Sequence, residues 1–501
     1  MKNLLAAVLL APLLHAADKP RNVVFFLVDD LGVSDVNLDG TDPFYETPNI
    51  AKFAKTAVNF TNGYASCPVC SPTRAAIMTG QNPARTNHTD FFGGPHEFLE
   101  PIPEDYSSLA DLDATKKMMG RRAKYPVWPA PYLGNLSHTH TTLAEALKKY
   151  GYATFFAGKW HLGHKGYYPQ DHGFDINIGG HRGGGPYGGK KYFSPYGNDQ
   201  IKDGPDGEHL TERLGRETAD FIKANKDKPF LAYLSFYSVH TPLMAPEDLV
   251  KKYQAKRKKL GLEDEFAPEP PRTNRTVHSH ATYAAMLESM DSAVGQVLDT
   301  LEAEGLEENT LVIFTSDNGG LSTSEGSPTS NLPYRAGKGW LYEGGIRVPV
   351  LVRDPALPHG GQTCAEPVYS TDYYPTILAA TGHKLLPDQH KDGVSFLPYL
   401  ENPDAKPTAR PLFWHYPHWG NQGGNPGTAV RVGKWKLIRW NWPARVELYD
   451  LEADPGETTD LSGKNPKVVT DLTKRIDTFL AETNAQRATP NPNFKGKFEK
   501  W

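Results

Sequence analysis

The sequence predicts an α/β fold: a large, mostly parallel central sheet sandwiched by helices, followed by a smaller C-terminal α+β unit carrying an antiparallel sheet. Three observations predict it. Continuously apolar runs at 22–28, 153–156, 229–236 and 310–315 have the character of strands buried on both faces of a parallel sheet. Helical segments separate them, most clearly where Tyr283, Leu287, Met290, Val294, Val297 and Leu301 recur in steps of four and three. Beyond residue 383 the composition shifts to short strand-like runs around a Gly-Lys turn.

The chain has 501 residues, enough for one large core and a satellite, and its 39% hydrophobic and 22% charged content describe a globular protein. A net charge of −4 leaves no broad basic field for nucleic acid. The 46 glycines and 42 prolines imply many loops and tight turns. Residues 1–17 read as a secretory signal: one lysine, an apolar run from Leu4 to Leu14, then small residues. That run is short for a membrane span, and no second one follows, so the mature chain is expected to be secreted or periplasmic. The expected division is a signal at 1–17, a larger N-terminal domain over 18–382, and a linker with the C-terminal unit over 383–501. Three cysteines, Cys67, Cys70 and Cys364, are too few for a disulfide scaffold. Cys67 and Cys70 have C-x-x-C spacing, and a pairing of Cys67 with Cys364 stays open.

In chain order, the strand at 22–28 ends abruptly in Asp29-Asp30. Two carboxylates at the end of an interior strand are costly unless something positive pairs with them, and a divalent cation with oxygen ligands answers that need. The stretch 67–80 reads as loop, then helix. Ser71 suits the N-cap, Pro72 the first turn, and Gly80 the end. This puts Cys70 at a helix N-terminus, with Arg74 one turn inside. Residues 91–136 are rich in proline and aromatics and read as a surface insertion walling the site. A helix at 142–150 precedes the strand at 151–156, which ends in Lys159 and His161.

The segment 171–207 is a Gly-, Tyr- and Pro-rich loop without Walker spacing. It is expected to close over substrate, with His181 and Arg182 as subsite contacts. After a helix at 208–224, the strand at 229–236 runs into His240-Thr241-Pro242. The basic run 251–259 reads as a solvated helix face. The strand at 310–315 ends in Asp317-Asn318, two more oxygen ligands. A hairpin around Gly433-Lys434, a strand at 446–451 and a helix at 471–480 make up the C-terminal unit. In open α/β sheets ligands bind beyond the carboxyl ends of the strands. Asp29-Asp30, Lys159 with His161, His240, and Asp317-Asn318 all fall there, which predicts one cleft holding a cation, basic groups and residue 70.

Cys70-Ser71-Pro72-Thr73-Arg74, with its small-residue helix ending in Thr79-Gly80, resembles the Cys-x-Pro-x-Arg signature of the type I sulfatases. So do Gly158-Lys159-Trp160-His161-Leu162-Gly163, His240-Thr241-Pro242, and 337–345 with its Gly-Lys and Tyr-Glu-Gly-Gly elements. The resemblance spans about residues 22–480 and implies an alkaline phosphatase-like fold. It also implies that a formylglycine-generating or sulfatase-maturating enzyme oxidises Cys70 to formylglycine, whose hydrate attacks sulfate ester sulfur. Asp29, Asp30, the modified Cys70, Asp317 and Asn318 would hold calcium. Arg74, Lys159 and Lys338 would supply positive charge, with Lys159, His240 and Lys338 at the sulfate. His240 would protonate the leaving oxygen, and His161 would take a proton as sulfate is released. The expected substrate is a sulfated carbohydrate, a polysaccharide or host glycan. Tyr187, Tyr192, Tyr196, Trp414, His415, Tyr416 and Trp419 are available to stack on sugar rings or to pack. Two alternatives remain: a phosphate ester hydrolase of the same superfamily, and a glycan-binding protein whose Cys70 stays a thiol.

Overall fold

A computed structural model describes residues 21–93, 97–98, 125–357, 359–492 and 494. The proposed signal at 1–17 lies outside the described residues. The central sheet has the strands β1 (Asn22–Val28), β2 (Val58–Phe60), β3 (Ala153–Gly158), β4 (Ile176–Ile178), β5 (Phe230–Ser235), β6 (Thr310–Ser316), β7 (Val350–Arg353) and β8 (Thr363–Cys364). Their order is β8-β2-β7-β6-β1-β5-β3-β4. The run from β6 to β4 is parallel, and β7 is antiparallel to both β6 and β2.

The apolar runs are explained by cover on both faces. On β1, Val24, Phe26 and Val28 enter a core with the helices α2 (Leu210–Ala224) and α3 (Ala281–Ala303). Val23, Phe25 and Leu27 enter the opposite core, with α1 (Cys70–Thr79) and α4 (Tyr373–Ala380). Every residue of β1 is buried. A strand with two buried faces has no polar alternation, which is why these strands read as unbroken apolar runs.

The helix α1 begins two residues earlier than expected. Its N-cap is Val69, and Ser71 lies inside the helix, where its Oγ accepts the Phe92 N–H at 3.0 Å. Gly80 ends the helix in the left-handed region, as its sequence position predicts. The insertion at 91–136 is described only at its flanks, and Phe92, Tyr125, Tyr132 and Leu136 there are buried rather than exposed. In 171–207, Tyr192, Tyr196 and Ile201 are anchored in the core beside α2. The basic run lies on a helix, Glu247–Leu260, of which only Tyr253 is buried, so it is a solvated face.

The second sheet joins β9 (Leu412–Tyr416), β10 (Gly427–Val432), β11 (Trp435–Trp440) and β12 (Arg445–Asp450), all antiparallel. One face packs on α5 (Pro466–Glu482) through Val430, Leu437, Leu448, Ile476 and Leu480. The other packs on Tyr64, Val69, Trp340, Tyr342 and Ile346 of the larger unit. Trp414 and Tyr416 belong to this contact, and Trp419 donates its Nε1–H to Val127 O. Tyr192, Tyr196, His415 and these three aromatics are all buried, so packing is their role, and only Tyr187 of the set is exposed. All three cysteines are buried free thiols. Among the described residues, no helix is long and apolar enough to cross a membrane.

Candidate active site

The site lies beyond the carboxyl ends of β1, β3, β5 and β6, where the strands deliver Asp29-Asp30, Lys159, His240 and Asp317-Asn318 to the N-terminus of α1. The register accounts for the placement: Val28 pairs with Ser316, and Gly158 with Ser235, so the polar residues after each strand emerge at one level. Gly158 is required there. It sits at φ +101°, and a Cβ would lie 1.7 Å from Ser235 O. Asp30 and His161 adopt φ of 61° and 57°, uncommon for residues with side chains, and these turns aim them back over the strand ends.

Arg74 is consumed within the site. Its Nε donates to Asp317 Oδ2 at 2.8 Å, and its Nη1 to Lys159 O at 2.7 Å and Ser235 Oγ at 2.6 Å. Nη2 lies 2.7 Å from Asp317 and 3.7 Å from Asp29. Lys159 Nζ is 2.6 Å from Asp29 Oδ2, and Lys338 Nζ is 2.7 Å from Asp30 Oδ2. Asn318 Nδ2 donates to Asp30 Oδ1 at 2.8 Å, and the Asp30 N–H to Asp317 Oδ1 at 3.2 Å. Burial pushes Asp317 up to about 6 against the pull of Arg74, whereas Lys338, His240 and Lys159 outweigh burial at Asp30 and hold it below the ordinary carboxylate range.

Two histidines flank residue 70 with assignable tautomers. His161 Nε2 lies 2.9 Å from Phe92 O, which can only accept, so Nε2 carries the proton. The Nδ1 lone pair then faces Cys70 Sγ at 3.3 Å. His240 Nδ1 donates to Thr241 O at 2.7 Å, leaving Nε2 toward Asp30 at 3.8 Å. Burial, reinforced by Lys159 near His161 and by Lys338 near His240, lowers both imidazoles.

The oxygen cluster fits a hard cation. Among the described residues, Asp29 Oδ1 and Asn318 Oδ1 are buried and have no hydrogen-bond partner. One ligand atom each from Asp29, Cys70 and Asp317 lie within 4.8 Å of one another. Carboxylate and amide oxygens are the donor set calcium takes.

A cavity of about 250 Å³ opens above this cluster. Cys70, His161, His240 and Lys338 form its floor, Phe91 and Phe92 one wall, and Gly184 with Tyr187 another. Val69, Glu325, Asn421 and Gln422 complete the lining. Arg74 and Lys159 do not line it; they sit behind, locked on carboxylates. Nor do His181 and Arg182, the expected subsite contacts. The His181 carbonyl accepts the His161 N–H at 3.0 Å, its Nδ1 accepts the Gly183 N–H, and Arg182 pairs with Glu97 at 2.7 Å. These two residues brace the wall, and the neighbouring Gly184 and Tyr187 face the cavity. Sequence reasoning missed Phe92, Glu325, Asn421 and Gln422, which come from loops and carry no motif, and Ser235, the last residue of an apolar strand run, whose Oγ binds Arg74 and Lys159 O.

A sequence model of the sulfatase family matches residues 21–383, and one described as N-sulphoglucosamine sulphohydrolase, C-terminal, matches residues 336–486. A sulfatase of Formosa agariphila is 30% identical, with 97% of this chain and 93% of that one covered. N-acetylgalactosamine-6-sulfatase of Mus musculus is 29% identical, over 88% of this chain and 76% of its own. Solved structures of Ps i-CgsB, one of them in complex with k-i-k-neocarrahexaose, superpose with TM-scores of 0.71 and 0.70 at 27% identity, covering 92% of this chain and 93% of theirs.

Proposed function

The chain belongs to the sulfatase family and is a hydrolase of sulfate esters; from that premise we propose that it removes sulfate from a sulfated carbohydrate, using formylglycine made from Cys70 beside a calcium ion. The observation that carries this reading is the convergence of Cys70, two histidines and Lys338 on one small cavity, with four oxygen-bearing side chains and Lys159 packed directly behind. Relatives named for a carbohydrate sulfatase and for a carrahexaose complex support the substrate class. A signal peptide at 1–17 would place the chain outside the cytoplasm, where such glycans occur, and a maturating enzyme would have to oxidise Cys70 first.

Asp29, Asp30, Asp317, Asn318 and residue 70 would hold the cation. When bound, the aldehyde hydrate at residue 70 supplies the nucleophile, and calcium lowers its proton affinity and neutralises sulfate charge. The remaining work falls to side chains seen in the structure. Lys338, at the cavity floor, offers a fixed positive charge to the sulfate oxygens, with Lys159 close behind. Arg74 holds Asp317 and the end of β3 in register and acts as a positioning residue. His161 presents an acceptor lone pair at residue 70 and can take a proton there. His240 keeps its Nδ1–H on Thr241 O and turns Nε2 to the cavity where a leaving oxygen would lie, so it would give a proton there only from the doubly protonated ring.

Two results test this. Aryl sulfate should be hydrolysed far faster than aryl phosphate, chelation of divalent cations should abolish most of that activity, and calcium should restore it. Equal turnover of phosphate, or a requirement for zinc, would favour the phosphate ester reading. Replacing His240 with alanine should cost about 10²–10⁴-fold on sugar or alkyl sulfates, whose leaving oxygens need a proton. The loss should be much smaller on 4-nitrophenyl sulfate, whose leaving group does not. Equal losses on both would remove His240 from the acid role.

A further inference from the structure

The rim of the cavity carries a negative charge that the reaction does not call for. Glu325 lines it although a sulfate ester is itself an anion. The residue sits at φ 55° in a loop after β6 and is exposed. Its carboxylate is held rather than loose. Gln422 Nε2 donates to Oε1 at 2.7 Å, Asn421 Nδ2 to the same oxygen at 3.2 Å, and Thr241 Oγ1 to Oε2 at 3.4 Å.

The partners are anchored in turn. The Gln422 carbonyl accepts Trp340 Nε1–H at 3.0 Å and Thr323 Oγ1–H at 3.0 Å. Arg272, the nearby guanidinium, is engaged behind the loop, donating to Asn421 O at 2.8 Å. Gln422 is buried, and among the described residues its side-chain Oε1 has no hydrogen-bond partner. The rim therefore presents one held carboxylate, with Gln422 Oε1 buried behind it against Gly339. Tyr187, 59% exposed, also lines the cavity, its ring 6.1 Å from that of His240.

An exposed carboxylate has lone pairs left over after these three donors, and a ligand that donates can fill them. Sugar hydroxyl or amine groups do so, and an apolar ring face suits Tyr187. A second anionic group on the same ring would meet Glu325 at close range, where like charges repel. At about 250 Å³ the cavity is smaller than the roughly 300–1,000 Å³ of sites for drug-sized ligands, so it holds one ring and leaves the rest of a glycan outside.

We propose that Glu325, with Gln422, is the specificity device of this cavity: it selects a monosulfated ring with free hydroxyl or amino groups and rejects rings bearing a second sulfate or a carboxylate. The inference rests on the sulfate ester reading, deepens its substrate class, and can fail separately from it.

The test compares kcat/KM for matched substrates with and without a second anionic group, in the wild-type enzyme and in Glu325→Gln and Glu325→Asp. Aryl sulfates with and without a ring carboxylate come first, because they need no sugar specificity; monosulfated and disulfated or uronate sugars follow. The wild-type enzyme should prefer the singly charged member by at least about tenfold, Glu325→Gln should cut that preference severalfold, and Glu325→Asp should keep most of it. A wild-type preference near one, or a preference unchanged in Glu325→Gln, would overturn the proposal. Turnover of aryl sulfates with the expected charge preference but of no sugar would instead sink the carbohydrate reading and leave the charged rim standing.

Discussion

Replacing Cys70 with alanine is expected to abolish sulfate ester hydrolysis, by at least about 10⁴-fold in kcat, while the protein stays folded. The side chain is 3% exposed and makes one polar contact, to His161, so its removal costs about 1 kcal/mol of stability. The activity loss follows from position. Residue 70 is at the first turn of α1, at the floor of the cavity, within reach of Asp29, Asp317 and His161. No other described nucleophile shares that place: Ser71 is turned to Phe92, and Ser235 is bound by Arg74 and Lys159. Circular dichroism and a thermal melt would show an intact fold, and calorimetry with a sulfated sugar should still detect binding. A Cys70→Ala protein with near wild-type turnover would place the nucleophile elsewhere.

The second large effect is on stability, and it lies away from the cavity. Lys436 on β11 is fully buried between two carboxylates, Glu343 at 3.0 Å and Glu457 at 2.8 Å, both also buried. Tyr64 donates to Glu343 at 2.7 Å, and Arg347 lies 3.1 Å from it. Glu343 opens the short helix Glu343–Ile346, which follows the segment bearing Lys338. Gly345 of that helix accepts the Gly319 N–H at 3.0 Å, and a Cβ on it would lie 2.1 Å from Trp340 O.

Removing the lysine leaves two carboxylates buried without their shared cation. Lys436→Met should therefore destabilise by about 3–5 kcal/mol, read as a lower urea midpoint. Glu457→Gln should recover part of that loss in the double variant. Burial, opposed by Lys436 and aided by Glu343, pushes Glu457 up to about 7. A raised carboxyl contributes stability that is complete below its unfolded value and lost as pH rises through about 7. Glu457→Gln should flatten that part of the stability profile. A Lys436→Met midpoint within error of wild type would show that the two sheets are not held together through this cluster.

Much of the site was legible because of how the sheet is built. A strand covered on both faces reads as an apolar run, so the first polar residues after it stand out, and the topology brings them to one edge. That argument reaches Asp29, Lys159, His240 and Asp317 without any knowledge of contacts. It does not reach what each side chain is doing. Arg74 reads as free charge beside residue 70, yet its partner Asp317 is 243 residues away and holds it off the cavity. Ser71 reads as an N-cap because local propensity favours it, but the N–H it serves belongs to Phe92, 21 residues on.

The aromatics of the C-terminal unit illustrate the opposite error. Trp414 and Tyr416 look like sugar platforms in isolation. With both faces of their sheet covered, burial alone explains them. Glu325 and Gln422 were invisible for a simpler reason. They lie in loops with no periodicity, and their role depends on two segments about a hundred residues apart meeting at the rim.

The central claim is that residue 70 works as an aldehyde rather than a thiol. It is tested most directly by mass spectrometry of the peptide containing residue 70, taken from the same preparation whose turnover of aryl sulfate has been measured. The account predicts that the active fraction carries formylglycine at that position, that the peptide reacts with a hydrazide probe, and that activity rises in proportion to the converted share. A fully active preparation in which residue 70 is an unmodified cysteine would contradict it.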